Sequence, residues 1–235
     1  MCTGSGVLLL NWRERFRRRN ADEGFTLIEL VVTVAIVGFV VTALTGIVIS
    51  YLKTTVSTQS RLTESHDVQF AAAYWQRDVA SVGVRSTTYN DDPSVHSYPL
   101  LQSVAANPVS GIAVGCALPS GADIAKVVTL AWSQFSASDP SNPQTVTVTY
   151  LAKGTAQPYS LMRVRCTGGT VDSTVTVADN LVGKPVVACS GSASGCNGSG
   201  ANVPSVVTMT LTANDPSNAG AASYSAKLTG ERRQA

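Results

Sequence analysis

GFTLIELVVTVAIVGFVVTALTGIVISY, residues 24 to 51, carries one charged side chain, Glu29, in an otherwise uncharged run. Coiled as a helix, Phe25 to Tyr51 would extend roughly 40 Å, enough to cross a hydrocarbon layer of about 30 Å. A helix buried in a soluble core is the alternative. A soluble helix, however, carries a polar stripe, and here only scattered Thr, Ser and Gly interrupt the apolar surface. Gly38 and Gly46 lower helix propensity and permit close helix contacts. A carboxylate in such a segment is costly unless something offsets it, so Glu29 either snorkels to the interface or has a cationic partner.

The residues before the run suggest where that cation comes from. Arg13, Arg15, Arg17, Arg18 and Arg19 face only Glu14, Asp22 and Glu23 in the first 24 residues, which leaves twelve basic and twelve acidic residues in the rest of the chain. A neutral body without a basic run argues against a dedicated nucleic-acid binder. An arginine cluster ahead of an apolar run reads as a targeting segment. In an ordinary secretory signal the small-residue cleavage site follows the apolar core, whereas Gly24 precedes it here. Removing residues 1–24 would therefore leave the hydrophobic segment on the product. The arginines place the N-terminal side in the cytoplasm and the bulk of the chain outside it. A cut between Gly24 and Phe25 would also create an α-amino cation on Phe25, one turn from Glu29. A neighbouring chain staggered by a turn would bring the two charges together. Their attraction in a low-dielectric setting is largely offset by desolvation, so the pair would fix register as much as it binds.

The words G-F-T-L-I-E-L at Gly24 to Leu30 resemble the processing site of the type IV pilin family nearly letter for letter. The resemblance implies a membrane aspartyl protease, the prepilin peptidase, that cuts after Gly24 and methylates the new N-terminal Phe25. It also implies that Glu29 supports subunit assembly as the fifth mature residue. FAAAYWQRDVASVGVRS at Phe70 to Ser86 resembles the helix end of the larger minor pilins and pseudopilins, and the mature length of 211 residues points the same way. The partners implied are the prepilin peptidase, other pilin or pseudopilin subunits, the pilus assembly machinery and the membrane. The expected course runs from the cytoplasmic membrane, with a single pass, to an extracellular or cell-surface filament.

Beyond the apolar run the pattern stays helical to about Val84, with no Pro between residues 26 and 92. Steps of 100° put Val68, Trp75, Val79 and Val82 on one stripe and Leu62, Ala73, Ala80 and Val84 on roughly the opposite one. One side is expected to pack on the chain's own head and the other on neighbouring subunits. Full burial of the helix within a larger domain is the alternative.

After Arg85 the text turns polar and is punctuated by Pro and Gly. Alternating runs recur: Val128, Leu130 and Trp132; Val146, Val148 and Tyr150; Val207, Met209 and Leu211; Tyr224, Ala226 and Leu228. Each reads as a half-buried antiparallel strand. DPSN occurs at Asp139 to Asn142 and at Asp215 to Asn218, each time between two such runs, and reads as a hairpin loop. The fold expected is α+β and pilin-like, a long N-terminal helix with one antiparallel sheet as a C-terminal head. The organisation is a leader at 1–24, a transmembrane and assembly helix at 25–52, its amphipathic continuation at 53–85 and a β-rich head at 86–235.

Cys2 would leave with the leader, and Cys116, Cys166, Cys189 and Cys196 form an even set in an outward-facing domain. Three pairings are open. Cys189 with Cys196 is favoured because it closes a Gly- and Ser-rich loop, and Cys116 with Cys166 because it ties separated parts of the sheet. Zinc is disfavoured by the lack of a C-x-x-C pair, and no cofactor is expected.

Nor is an enzyme expected. His66 and His96 belong to no H-E-x-x-H motif, and Ala193 occupies the place where a nucleophile elbow in Gly191 to Gly195 would need its serine. Asp91, Asp92 and the DPSN aspartates suit calcium in principle, but turn formation explains them. The functional expectation is a minor structural subunit of a type IV pilus. A type II secretion pseudopilus subunit and a membrane-tethered binding or adhesin domain that does not polymerise are the alternatives.

Overall fold

The computed structural model describes residues 24–93, 96–136, 142–214 and 223–233. The expected leader, with Cys2 and the arginine cluster, lies outside the described residues apart from Gly24. The chain divides into two units at Lys53/Thr54.

Helix α1 (Leu27–Ser81) contributes to both units. In the first unit its apolar side chains are exposed, Leu27 at 82% and Phe39 at 77%, so nothing within this unit covers them. Leu27–Gln59 is long and apolar enough to cross a membrane, and its most apolar window has no buried residue. Its hydroxyls turn inward on the helix: Thr33 donates to the Glu29 carbonyl (2.6 Å), Thr42 to that of Gly38 (2.7 Å) and Thr45 to that of Val41 (2.7 Å). Back-bonding of this kind satisfies a hydroxyl where no water is at hand.

The second unit has its own core, formed between the C-terminal part of α1 and an antiparallel sheet. Ala71, Trp75, Val79 and Val82 are fully buried, while Leu62 is 67% exposed and Ala73 is exposed. The helix thus buries one of its two apolar stripes. Trp75 donates from Nε1 to the Val207 carbonyl (3.2 Å) and meets Tyr150 edge to face, with centroids 5.3 Å apart. Gly230 lets the last strand of the sheet approach the helix closely, because a Cβ there would lie 2.5 Å from Val79 Cβ.

Eight strands follow among the described residues: β1 (Val104–Ala105), β2 (Ile124–Gln134), β3 (Gln144–Lys153), β4 (Tyr159–Thr167), β5 (Thr170–Leu181), β6 (Val186–Ser190), β7 (Val206–Ala213) and β8 (Tyr224–Glu231). They form one antiparallel sheet in the order β1-β2-β3-β4-β5-β7-β6, with β8 on the other side of β7. The architecture is α+β and pilin-like, a long apolar N-terminal helix followed by an antiparallel sheet domain. The strands flanking each DPSN, β2 with β3 and β7 with β8, pair antiparallel. The tetrapeptides themselves lie outside the described residues except for Asn142.

Two expectations are corrected. The helix ends at Ser81, before Val84, because Gly83 takes φ 149° and leaves for extended pairing. Its N–H donates to the Ala131 carbonyl (3.0 Å), and its carbonyl accepts from Ser133 N–H (3.1 Å). Nor are β2 and β3 half-buried: Thr129, Thr147 and Thr149 are buried along with the valines opposite. The far face of the sheet carries a second small core of Leu151, Val164, Cys116 and Cys166, with Val114 and Leu118 packed against it. That core requires the segment between β1 and β2 to lie over the sheet, a long-range arrangement that no local alternation encodes.

Candidate functional site

Gly24 is exposed and precedes the helix, and a Cβ at this position would meet no atom within 4 Å. Phe25 beside it is also exposed. Thr26 caps the helix: its side-chain oxygen accepts from Glu29 N–H (3.3 Å), and its carbonyl accepts from Glu29 (3.0 Å) and Leu30 (3.2 Å). Thr26 and Glu29 therefore stand as N-cap and third helical residue, the spacing of a capping box. Glu29 lies in the first turn, where the partial positive charge of the helix terminus favours a carboxylate by about 0.3–1 kcal/mol. The T-L-I-E spacing was readable in the sequence as a capping signal. That benefit is much smaller than the cost of a lone charge in lipid, so it places the carboxylate without removing its need for a partner.

The four cysteines lie in the second unit, away from this segment in sequence. Cys116 is joined to Cys166 (Cα–Cα 6.0 Å) and Cys189 to Cys196 (Cα–Cα 5.2 Å). The first bond pins the covering segment to β4 within the far-face core. The second closes the loop after β6, in which Gly191 and Gly195 both adopt positive φ.

The head holds a charged cluster that sequence reasoning missed. Asp78, 1% exposed, accepts from Arg163 Nε (2.6 Å), Arg163 Nη2 (2.7 Å) and the Tyr150 hydroxyl (2.8 Å). Arg163 is 2% exposed and lies 4.9 Å from the Tyr74 ring centroid. Burial, then the Asp78 charge and hydrogen bond, push the Tyr150 hydroxyl well above its ordinary range, against the opposing pull of Arg163. Burial pushes the Arg163 guanidinium down, but the hydrogen bonds and charge of Asp78 outweigh it and raise it overall. The signal was available: Asp78 falls on the Trp75–Val79–Val82 stripe, and a buried carboxylate needs a cation. With every strong group satisfied, this cluster fixes how the helix sits on the sheet and offers no open chemistry.

The remaining candidates are ordinary surface features. His66 is exposed, 3.8 Å from Asp67. His96 donates its N–H to the Asp92 carbonyl, and Asn90 Oδ1 accepts from Asp92 N–H (3.0 Å), an Asx turn. Among the described residues no group of three or more His, Cys, Asp or Glu has metal-binding geometry.

With an exposed glycine-phenylalanine junction, a capped apolar helix and one early carboxylate in place, the comparison with known families is direct. Residues 19–45 match the prokaryotic N-terminal methylation motif. The chain thus carries the type IV pilin-like prepilin signature, which implies processing by a prepilin peptidase and assembly with other pilins in a membrane system. A search of curated proteins finds no match to the chain.

Proposed function

We propose that this chain is a minor structural subunit of a type IV pilus. It is held in the cytoplasmic membrane with its arginine-bearing end inside, cut between Gly24 and Phe25, methylated on Phe25, and drawn into a filament by its N-terminal helix. Residues 25–52 then exchange lipid for the helices of other subunits, and Glu29 pairs with the α-amino group of a neighbouring subunit. Residues 53–85 continue the helix toward a head formed by residues 86–235. The observation that carries this reading is the uncovered apolar helix with one carboxylate in its first turn, lying within the methylation motif. The mature length of 211 residues favours a minor over a bulk subunit.

Shearing surface filaments from cells that express the tagged chain, and probing them for it, tests the proposal. The chain should appear in the filament fraction in few copies per filament. Recovery solely in membranes, while filaments form normally without it, would support a tethered domain instead. Recovery in filaments whose loss blocks protein secretion would move the assignment to a pseudopilus.

A further inference from the structure

The second unit has a groove of about 770 Å³ between the outward face of α1, the end of β2 and the segment after β8. Two cations line it, Arg77 and Arg233, and among the described residues no acid does. Arg77 is 62% exposed, and its Nε lies 3.9 Å from Asp78. That carboxylate is already engaged by three shorter hydrogen bonds from Arg163 and Tyr150, which leaves most of the Arg77 charge to the groove. Arg233 is anchored through its backbone, its N–H donating to the Ala80 carbonyl (3.3 Å). The C-terminal end of α1 contributes about half a negative charge, which two guanidiniums outweigh.

Aromatic and amide groups complete the lining: Phe135, which is 59% exposed, with Trp132, Gln76 and Gln134. Trp132 and Gln134 are held from behind. The Arg165 guanidinium lies 5.9 Å from the Trp132 centroid and donates to Gln134 Oε1 (3.2 Å). Side chains fixed before binding lower the entropy cost of capturing a ligand.

Aromatic faces suit flat, weakly polar surfaces, amides suit hydroxyls, and guanidiniums suit carboxylates. A sugar ring bearing a carboxylate combines all three. A nucleic acid fits less well, because phosphate tracking needs a basic stripe and the chain beyond residue 24 is neutral. We propose that this groove binds a short acidic saccharide of the uronate type, with its carboxylate on Arg77 and Arg233, a ring face on Phe135 and Trp132, and its hydroxyls on Gln76 and Gln134. The groove lies wholly within the second unit, but Ala73 and Ala80 in its lining belong to the helix stripe expected to meet neighbouring subunits, so the proposal concerns the unassembled chain and is tested on that chain, apart from filament entry.

The test is isothermal titration of the full-length chain in detergent micelles with trigalacturonate. Maltotriose, trithymidylate and triglutamate serve as neutral-sugar, nucleic-acid and acidic-peptide probes. Trigalacturonate should bind at least tenfold more tightly than any of the three. Arg77→Gln, Arg233→Gln and Phe135→Ala should each weaken it about tenfold, the loss of one good charged or stacking contact. All three residues are exposed, so unchanged melting temperatures should accompany these losses. The proposal is overturned if trigalacturonate gives no heat at millimolar concentration, if maltotriose, trithymidylate or triglutamate binds as well, or if the three variants, folded, bind it like the parent.

Discussion

Asp78→Ala would leave the Arg163 guanidinium buried without its carboxylate and the Tyr150 hydroxyl without its acceptor. At about 2.7 Å and an effective dielectric near 20, the gross attraction between the two charges is about 6 kcal/mol. In the native head desolvation of both ions offsets most of that. The variant keeps the desolvation of Arg163 and loses the attraction, a situation that costs about 3–5 kcal/mol, with about 1 kcal/mol more for the orphaned hydroxyl. Against a typical domain stability of about 5–15 kcal/mol, such a loss should bring the head close to unfolding. Urea titration of the full-length chain in detergent, followed by tryptophan fluorescence, reads this directly, since Trp75 is buried in the head core and the partly buried Trp132 packs against it. Asp78→Leu combined with Arg163→Met should recover most of the loss, because removing both charges also removes the desolvation cost. A loss below 1 kcal/mol for Asp78→Ala, or a double variant no better than the single one, would refute this account of the cluster.

Other perturbations give equally definite outcomes. Tyr150 holds its proton more tightly when folded than when unfolded, so its contribution is complete below about pH 10 and is lost as pH rises through its raised folded value. Melting temperature should therefore fall above pH 10 in the parent, and less steeply in Tyr150→Phe. Gly24→Ala should leave the full-length precursor in the membrane, seen as a slower band on blots; normal processing would discount the site. Glu29→Ala should be cut normally yet enter filaments poorly, whereas Thr26→Ala, which removes only the cap, should cost about 1 kcal/mol of helix stability and spare incorporation. Replacing Cys116 and Cys166 by alanine should lower head stability by about 2–4 kcal/mol and expose the segment covering the far face to protease.

The legible parts of the sequence are those encoded by local periodicity. The apolar run from Phe25 shows by its unbroken length, and the buried Trp75–Val79–Val82 stripe and the alternating strands at Val207–Leu211 follow from spacings of 3.6 and 2 residues, so the α+β class could be read directly, its pilin-like character only through the resemblance of G-F-T-L-I-E-L. β4 and β5 were not anticipated, because Arg163, Arg165, Asp172 and Asp179 break their alternation and β5 pairs across irregular register. Their charges make sense only in three dimensions, with Arg163 against Asp78 and Arg165 beside Asp172 at 3.3 Å. Burial of Thr147 and Thr149 was hidden for a similar reason: a threonine face looks solvent-facing until a distant segment is known to cover it. The groove was equally invisible, since its lining comes from residues 73–81, 132–135 and 233, three regions that no motif connects. At the processing segment, G-F-T-L-I-E-L marked Gly24, Phe25 and Glu29 through resemblance. The cap at Thr26 is marked in the sequence by its spacing from Glu29 alone, and its hydrogen bonds to Glu29 and Leu30 N–H establish it.

The central claim is that trimming after Gly24 supplies the cation that makes Glu29 tolerable in an apolar helix. Intact-mass and fragment mass spectrometry of the chain purified from its native membrane or filaments tests it most directly. The account predicts a polypeptide that begins at Phe25 and carries one added methyl group on its α-nitrogen. A chain that retains its arginine-bearing leader, or that begins beyond Glu29, would contradict it.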